Sequence, residues 1–197
     1  WLYEKGSGSI SKQMISERKD DMKKFYEMQV AGLNRRLPLC RVNKDLNIAA
    51  FVMFGDVELT ERCAAALLEK APQFDVLVTA ESKGIMLLYE MAKQSGHNYY
   101  VVMRKEAKLY MNDVLTTEVD SITTDHRQTL CMGGDDVEAV RGKRVLLVDD
   151  VISTGETLAA MEKLIRTAGG EIAGRMAVLA EGDAIGREDI ICLETLP

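Results

Sequence analysis

Apolar and polar residues alternate with changing period along the chain, and the changes mark out strands, helices and the loops between them. Tyr26, Met28 and Val30 alternate with polar neighbours as a half-buried strand does, within a stretch from Phe25 to Val42 where Gly32 to Pro38 reads as a turn or loop. Leu39 to Phe54 is apolar but interrupted by Asn43, Lys44, Asp45 and Asn47. Leu59, Cys63, Ala66 and Leu67 then fall at helical spacing, which predicts a helix over Asp56 to Ala71 closed by Pro72. Phe74 to Ala80 reads as a strand, and after the loop Glu81-Ser82-Lys83-Gly84 a helix is predicted from Ile85 to about Gln94. Tyr99 to Met103 is a further strand. From Tyr110 to Gly134 the chain is polar and rich in Thr, with Val114, Val119, Ile122 and Leu130 spaced like two short strands around Asp125-His126.

The second half is more sharply patterned. Basic Arg141-Gly142-Lys143-Arg144 gives way to apolar Val145-Leu146-Leu147-Val148, then to the carboxylates Asp149-Asp150, a Ser153-Thr154-Gly155 turn, and a helix beginning near Thr157. Leu158, Met161, Leu164 and Ile165 continue that helix to Ala168, where Gly169-Gly170 stops it. Ile172 to Ala180 and Ile190 to Leu193 are the last strands. Strands that alternate with helices predict an α/β fold, a mostly parallel sheet flanked by helices. Residues of about 25–54 would make a small hood on it, within one domain of residues 25–197.

The loops that follow the strands carry the chemistry. Backbone N–H groups at a helix start point outward unpaired and favour an anion, and Ser153, Thr154, Gly155 and Thr157 add hydroxyl donors and close backbone approach. A phosphate fits there. Asp149 and Asp150 cannot hold that phosphate, so sugar hydroxyls or a hydrated divalent metal are their expected partners. A receiver-type signalling domain also places paired acids after a strand, but its further parts on later strands are missing. A Walker loop would need Gly-Lys-Ser/Thr, which this chain lacks. Lys83 beside Gly84 would neutralise a second anion, and Arg104, Lys105 and Lys108 follow the third strand with more positive charge. His97 and His126 read as ordinary surface residues, and the eleven methionines as adaptable core packing.

Composition narrows the classes. A chain of 197 residues, 47% hydrophobic and 28% charged, can bury the core of one α/β domain. Residues 1–24 read as an N-terminal extension, either a loose helix or a segment foreign to the natural chain, because Gly6-Ser7-Gly8-Ser9 is linker-like and Met22 is a plausible start. No apolar run reaches the roughly 20 residues of a membrane span. Cys40, Cys63, Cys131 and Cys192 are widely spaced and form no Cys-x-x-Cys, so reduced thiols and a cytoplasmic location are expected. A net charge of −6 argues against nucleic-acid partners.

With acids first and the phosphate cradle second, Val145 to Thr157 resembles the phosphoribosyl-diphosphate (PRPP) motif of the type I phosphoribosyltransferases. The resemblance implies that Asp149 and Asp150 face the ribose hydroxyls, serve catalysis and approach Mg²⁺ through water, while Ser153 to Thr157 hold the 5′-phosphate. Glu156 departs from the pattern, since the family usually has a second glycine there. Glu81-Ser82-Lys83-Gly84 resembles the family's pyrophosphate loop, with Lys83 in place of the Arg of adenine enzymes, which exchanges a bidentate fork for a point charge. Arg104-Lys105-Glu106-Ala107-Lys108-Leu109 and the run from Glu181 to Gly186-Arg187 resemble further segments of adenine phosphoribosyltransferases. Residues 110–134 are then a hairpin closing over the ligand, although the Glu-Tyr pair of the adenine enzymes is not evident and Thr123-Thr124 lies nearest. The implied activity joins PRPP and a free purine with release of pyrophosphate in purine salvage, adenine being favoured, by a homodimer. The base is expected under Leu39 to Phe54, stacked on Ile48 and Phe51 with its edge bonded by Asn47. Xanthine- or guanine-type enzymes and PRPP-sensing regulators of the same fold are the alternatives.

Overall fold

A computed structural model describes residues 25–41, 43–44, 47–119 and 128–196, and the chain divides into a smaller unit of residues 1–29 and 34–52 and a larger one of residues 30–33 and 53–197. β1 (Phe25–Val30), β2 (Leu33–Arg41) and β3 (Asn47–Ala49), most of whose residues belong to the smaller unit, form a sheet in the order β1-β2-β3. The loop expected over Gly32 to Pro38 is not there. Ala31 and Gly32 alone make the connection, both with positive φ (49° and 77°), as a two-residue turn between twisted strands requires. Leu33, Arg35, Leu37 and Leu39 then alternate inward along β2. Arg35 disguises that period in the sequence. β3 runs antiparallel to β2, with Cys40 opposite Ile48, and the Ala50 N–H donates to the Pro38 carbonyl at 2.9 Å.

The larger unit is built on a five-stranded sheet in the order β10-β9-β8-β4-β5, parallel at every pairing. Its strands are β4 (Val76–Ala80), β5 (Val101–Met103), β8 (Arg144–Ile152), β9 (Glu171–Glu181) and β10 (Ile191–Leu196). All five residues of β4 are buried, as are Val145 to Val148 of β8, because helices cover both faces of a parallel sheet. The helices are α1 (Val57–Lys70), α2 (Ile85–Gln94), α3 (Gly134–Val140) and α4 (Glu156–Thr167). α1 starts where the Asp56 carboxylate accepts the Leu59 N–H at 3.0 Å, and it buries Leu59, Thr60, Cys63, Ala64 and Leu67. α2 matches its predicted span. α3 carries no apolar period strong enough to be legible and was not expected.

An antiparallel pair, β6 (Leu115–Val119) and β7 (Gln128–Met132), stands where two short strands were expected and packs on α4 and β5. Ile122, Thr123-Thr124, Asp125 and His126 lie outside the described residues. β8 is longer than its apolar core suggests, and Asp149 and Asp150 belong to its last turns of pleat rather than to a loop. At the opposite end of β8, Arg144 grips Asp75 through its backbone N–H (2.8 Å) and its guanidinium (2.8 and 3.1 Å), which fixes the register of β8 against β4. Cys63 and Cys131 are buried thiols, Cys192 is half-buried and Cys40 exposed; none of the four is in a disulfide. His97 is less peripheral than expected: its ring stacks on Phe74 at 4.8 Å, and Nδ1 lies 2.9 Å from Ser95 Oγ. Among the described residues no helix is long and apolar enough to cross a membrane.

Candidate active site

β4 and β8 are neighbours whose chains leave in opposite directions, β4 through α2 to β5 and β8 through α4 to β9. Such a reversal leaves a crevice at the carboxyl ends of the two strands that neither helix covers. The two polar loops singled out in the sequence, residues 81–84 after β4 and residues 153–155 after β8, both open there. A cleft of about 410 Å³ is lined by Glu81, Ser82 and Lys83 of the first loop, Asp149, Asp150, Val151 and Thr157 around the second, and Lys105 beyond β5. Val119 and Leu130 of the β6–β7 pair line it as well, two of the residues whose spacing marks the short strands expected over residues 110–134.

The Lys83 ammonium lies 2.8 Å from Oδ2 of Asp150, whose side chain is 2% exposed. A buried carboxylate without a partner would be costly, and Lys83 supplies that partner at the cleft floor. Asp149 is half-buried; its Oδ1 accepts the Asp150 N–H at 2.9 Å. Burial and then the adjacent Asp150 charge push its carboxyl well above the usual carboxylate range, with Lys83 pulling the other way. Gly84 packs against both strands: a Cβ there would sit 2.3 Å from Thr79 Oγ1 and 3.1 Å from Asp149 Oδ1. Thr79 is fully buried and had no sequence signal. The Glu81-Ser82 peptide is cis.

β5 is tied to the same loop by Glu81, whose Oε2 takes the Lys105 N–H and stands by Arg104 Nε, both at 3.2 Å. Lys105 therefore reaches the cleft. Lys108 does not line it and pairs instead with Glu106. Beyond β8, Gly155 has φ +82° and caps α4, and Thr154 Oγ1 accepts the Glu156 N–H at 3.4 Å. The open N-terminus of α4 borders a small cavity lined on one side by Asp149, Ser153, Thr154, Gly155 and Thr157 and on the other by apolar side chains of β8 and α4, Val148 and Met161 among them. Glu156, which stands where the expected pattern has a glycine, is the first residue of α4. Of the residues expected at the base, Asn47 and Ile48 are exposed on β3 and Phe51 is buried, all three in the smaller unit.

This arrangement can take an anion at the α4 N-terminus, a second at the Lys83 side, and a polyhydroxyl group between them at the carboxylates. A family model, the phosphoribosyl transferase domain, matches residues 57–196. The chain is 34% identical over 143 residues to an adenine phosphoribosyltransferase of Renibacterium salmoninarum, covering 69% of this chain and 72% of that protein. A Corynebacterium efficiens adenine phosphoribosyltransferase is 34% identical over 114 residues, 58% of this chain and 57% of its own length. A xanthine phosphoribosyltransferase of an Exiguobacterium species is 26% identical over 122 residues, 62% of each chain. Among solved structures, adenine phosphoribosyltransferase of Thermoanaerobacter pseudethanolicus superposes with a TM-score of 0.67 at 21% identity, over 90% of this chain and 99% of that one.

Proposed function

As the chain belongs to the phosphoribosyl transferase family, we propose that it transfers the phosphoribosyl group of PRPP to adenine, with release of pyrophosphate, in purine salvage. One observation carries this reading: the loops after β4 and β8 meet at the sheet's switch point and are joined there by the Lys83–Asp150 pair. In the reaction the bond from C1′ to the pyrophosphate oxygen breaks, a bond from C1′ to a ring nitrogen of the base forms, and that nitrogen's proton is lost. Asp149 and Asp150 hold the ribose hydroxyls and face the positive charge that grows at C1′. Ser153, Thr154, Gly155, the Glu156 backbone and Thr157 seat the 5′-phosphate. Glu81 to Gly84, with Lys83, Arg104 and Lys105, form the pyrophosphate side, where Lys83 exchanges its Asp150 partner for the leaving group. Lys108, turned to Glu106, would join only by changing partner.

Two carboxylates are too few to hold a divalent ion alone, and among the described residues no cluster of three or more His, Cys, Asp or Glu exists. Asp149 and Asp150 fit an Mg²⁺ that is also held by water and substrate oxygens. Bound there, Mg²⁺ would neutralise negative charge on the departing pyrophosphate. Asn47, Ile48 and Phe51 are the residues proposed for the base. Relatives named as adenine enzymes at 34% identity, against 26% for the xanthine enzyme, favour adenine. Cysteines outside any disulfide suit a cytoplasmic protein, and the exposed apolar side chains Val57 and Tyr89 suit a homodimer.

The test is a panel of adenine, hypoxanthine, guanine and xanthine with PRPP and Mg²⁺, following nucleotide and pyrophosphate. AMP formed with adenine is expected. A preference of about tenfold or more for a 6-oxopurine would reject adenine and keep the transferase, because the two classes present opposite donors and acceptors at position 6. PRPP binding without product from any base would point to a regulator.

A further inference from the structure

Gly155 is crowded by a residue distant in sequence: a Cβ added there would stand 2.6 Å from Nη1 of Arg187. Arg187 follows β9, past the turn at Gly182–Ala184. Its guanidinium is oriented by a fork, Nε donating to Asp189 Oδ1 at 3.0 Å and Nη2 to Asp189 Oδ2 at 2.7 Å. That bidentate grip uses one edge and leaves Nη1 against Gly155. Asp189 is in turn 3.7 Å from Arg175 Nε on β9, and Arg175 grips Glu162 of α4 at 2.5 and 2.8 Å. The chain of charges therefore starts on α4, crosses β9 and returns to the residue that caps α4. These ion pairs set the guanidinium beside Gly155. It also brings a positive charge to the side of a cradle whose first helical residue, Glu156, is an acid.

We propose that Arg187 is a positioning residue of the phosphate loop: its guanidinium, set beside Gly155, holds the loop in the shape whose backbone N–H groups seat the 5′-phosphate. The inference rests on the PRPP reading and adds a residue to it. Asp189 aims the guanidinium, and the Arg175–Glu162 pair aims Asp189. Pyrophosphate, bound on the Lys83 side, is outside its reach.

Ribose 5-phosphate and pyrophosphate, titrated separately into the wild-type chain and into R187Q, R187K and D189N, test this by calorimetry, with melting temperatures measured in parallel. R187Q should weaken ribose 5-phosphate binding by about tenfold or more, the scale of one charge-assisted hydrogen bond, and change pyrophosphate affinity by less than about twofold. R187K should recover part of the loss, and D189N, which frees the guanidinium, should fall between. Unchanged ribose 5-phosphate affinity in a folded R187Q overturns the proposal, as does an equal loss for both ligands with a lowered melting temperature, which marks a purely structural role. Should R187Q not fold, D189N decides alone by the same selective loss. Wild-type protein that binds pyrophosphate but not ribose 5-phosphate would instead overturn the PRPP reading beneath it.

Discussion

Gly84 and Lys83 sit side by side, and the cleft depends on each for a different physical reason. Gly84 has an ordinary φ, so its need is space: Thr79 Oγ1 and Asp149 Oδ1 occupy the volume of a Cβ, and Thr79 is fully buried. Gly84→Ala should therefore force the loop away from β8 at a cost of roughly 1–3 kcal/mol in stability, read by denaturant unfolding, and should lower pyrophosphate affinity as well. Lys83 is half exposed, yet its partner Asp150 is not, so Lys83→Met leaves a buried carboxylate alone. That variant should bind pyrophosphate more weakly, and a transferase assay should show kcat falling together with kcat/KM. Retained full activity would make Lys83 a surface residue. Lys83 and Asp150 were each legible in the sequence as charged residues after a strand. Their pairing was not, because it joins residues 67 positions apart through the strand order, which no local pattern carries.

At the scale of elements, the helices and parallel strands of the larger unit were legible because burial on both faces leaves unbroken apolar runs. β2 was not, since Gly32 and Pro38 are turn residues by type and only the two-residue Ala31-Gly32 connection needs a positive φ. α3 was missed because seven residues give barely two turns of period. The ties between elements were equally silent. Arg175 on β9 and Glu162 on α4 form the pair that ties α4 to the sheet, and Arg175 holds the Glu162 carboxyl below its usual range. A carboxyl whose folded pKa is lowered adds stability above its unfolded pKa of about 4.3, and that gain is lost as pH falls through the lowered value. Glu162→Gln should thus melt below wild type at pH 7, with the difference shrinking as the pH is taken below about 4. Melting curves at pH 7 and pH 3 check this, and a difference that stays constant would mean the pair adds no pH-dependent stability.

For the whole molecule, the site follows from topology. The order β10-β9-β8-β4-β5 sets β4 beside β8, and their opposite exits open the crevice into which both polar loops project. The strand order brings the loops at residues 153–155 and 81–84, each singled out by its own residues, to the ends of neighbouring strands. Three things needed the fold: the Lys83–Asp150 contact, the apolar wall of Val119 and Leu130, and Arg187 against Gly155. The central claim is that this crevice takes PRPP through Asp150 and the α4 N-terminus. Calorimetric titration of PRPP with Mg²⁺ into wild type, Asp150→Asn and Thr157→Val tests it most directly. The account predicts that each substitution weakens binding by roughly 1–3 kcal/mol while the fold persists; unchanged PRPP affinity in both variants would contradict it.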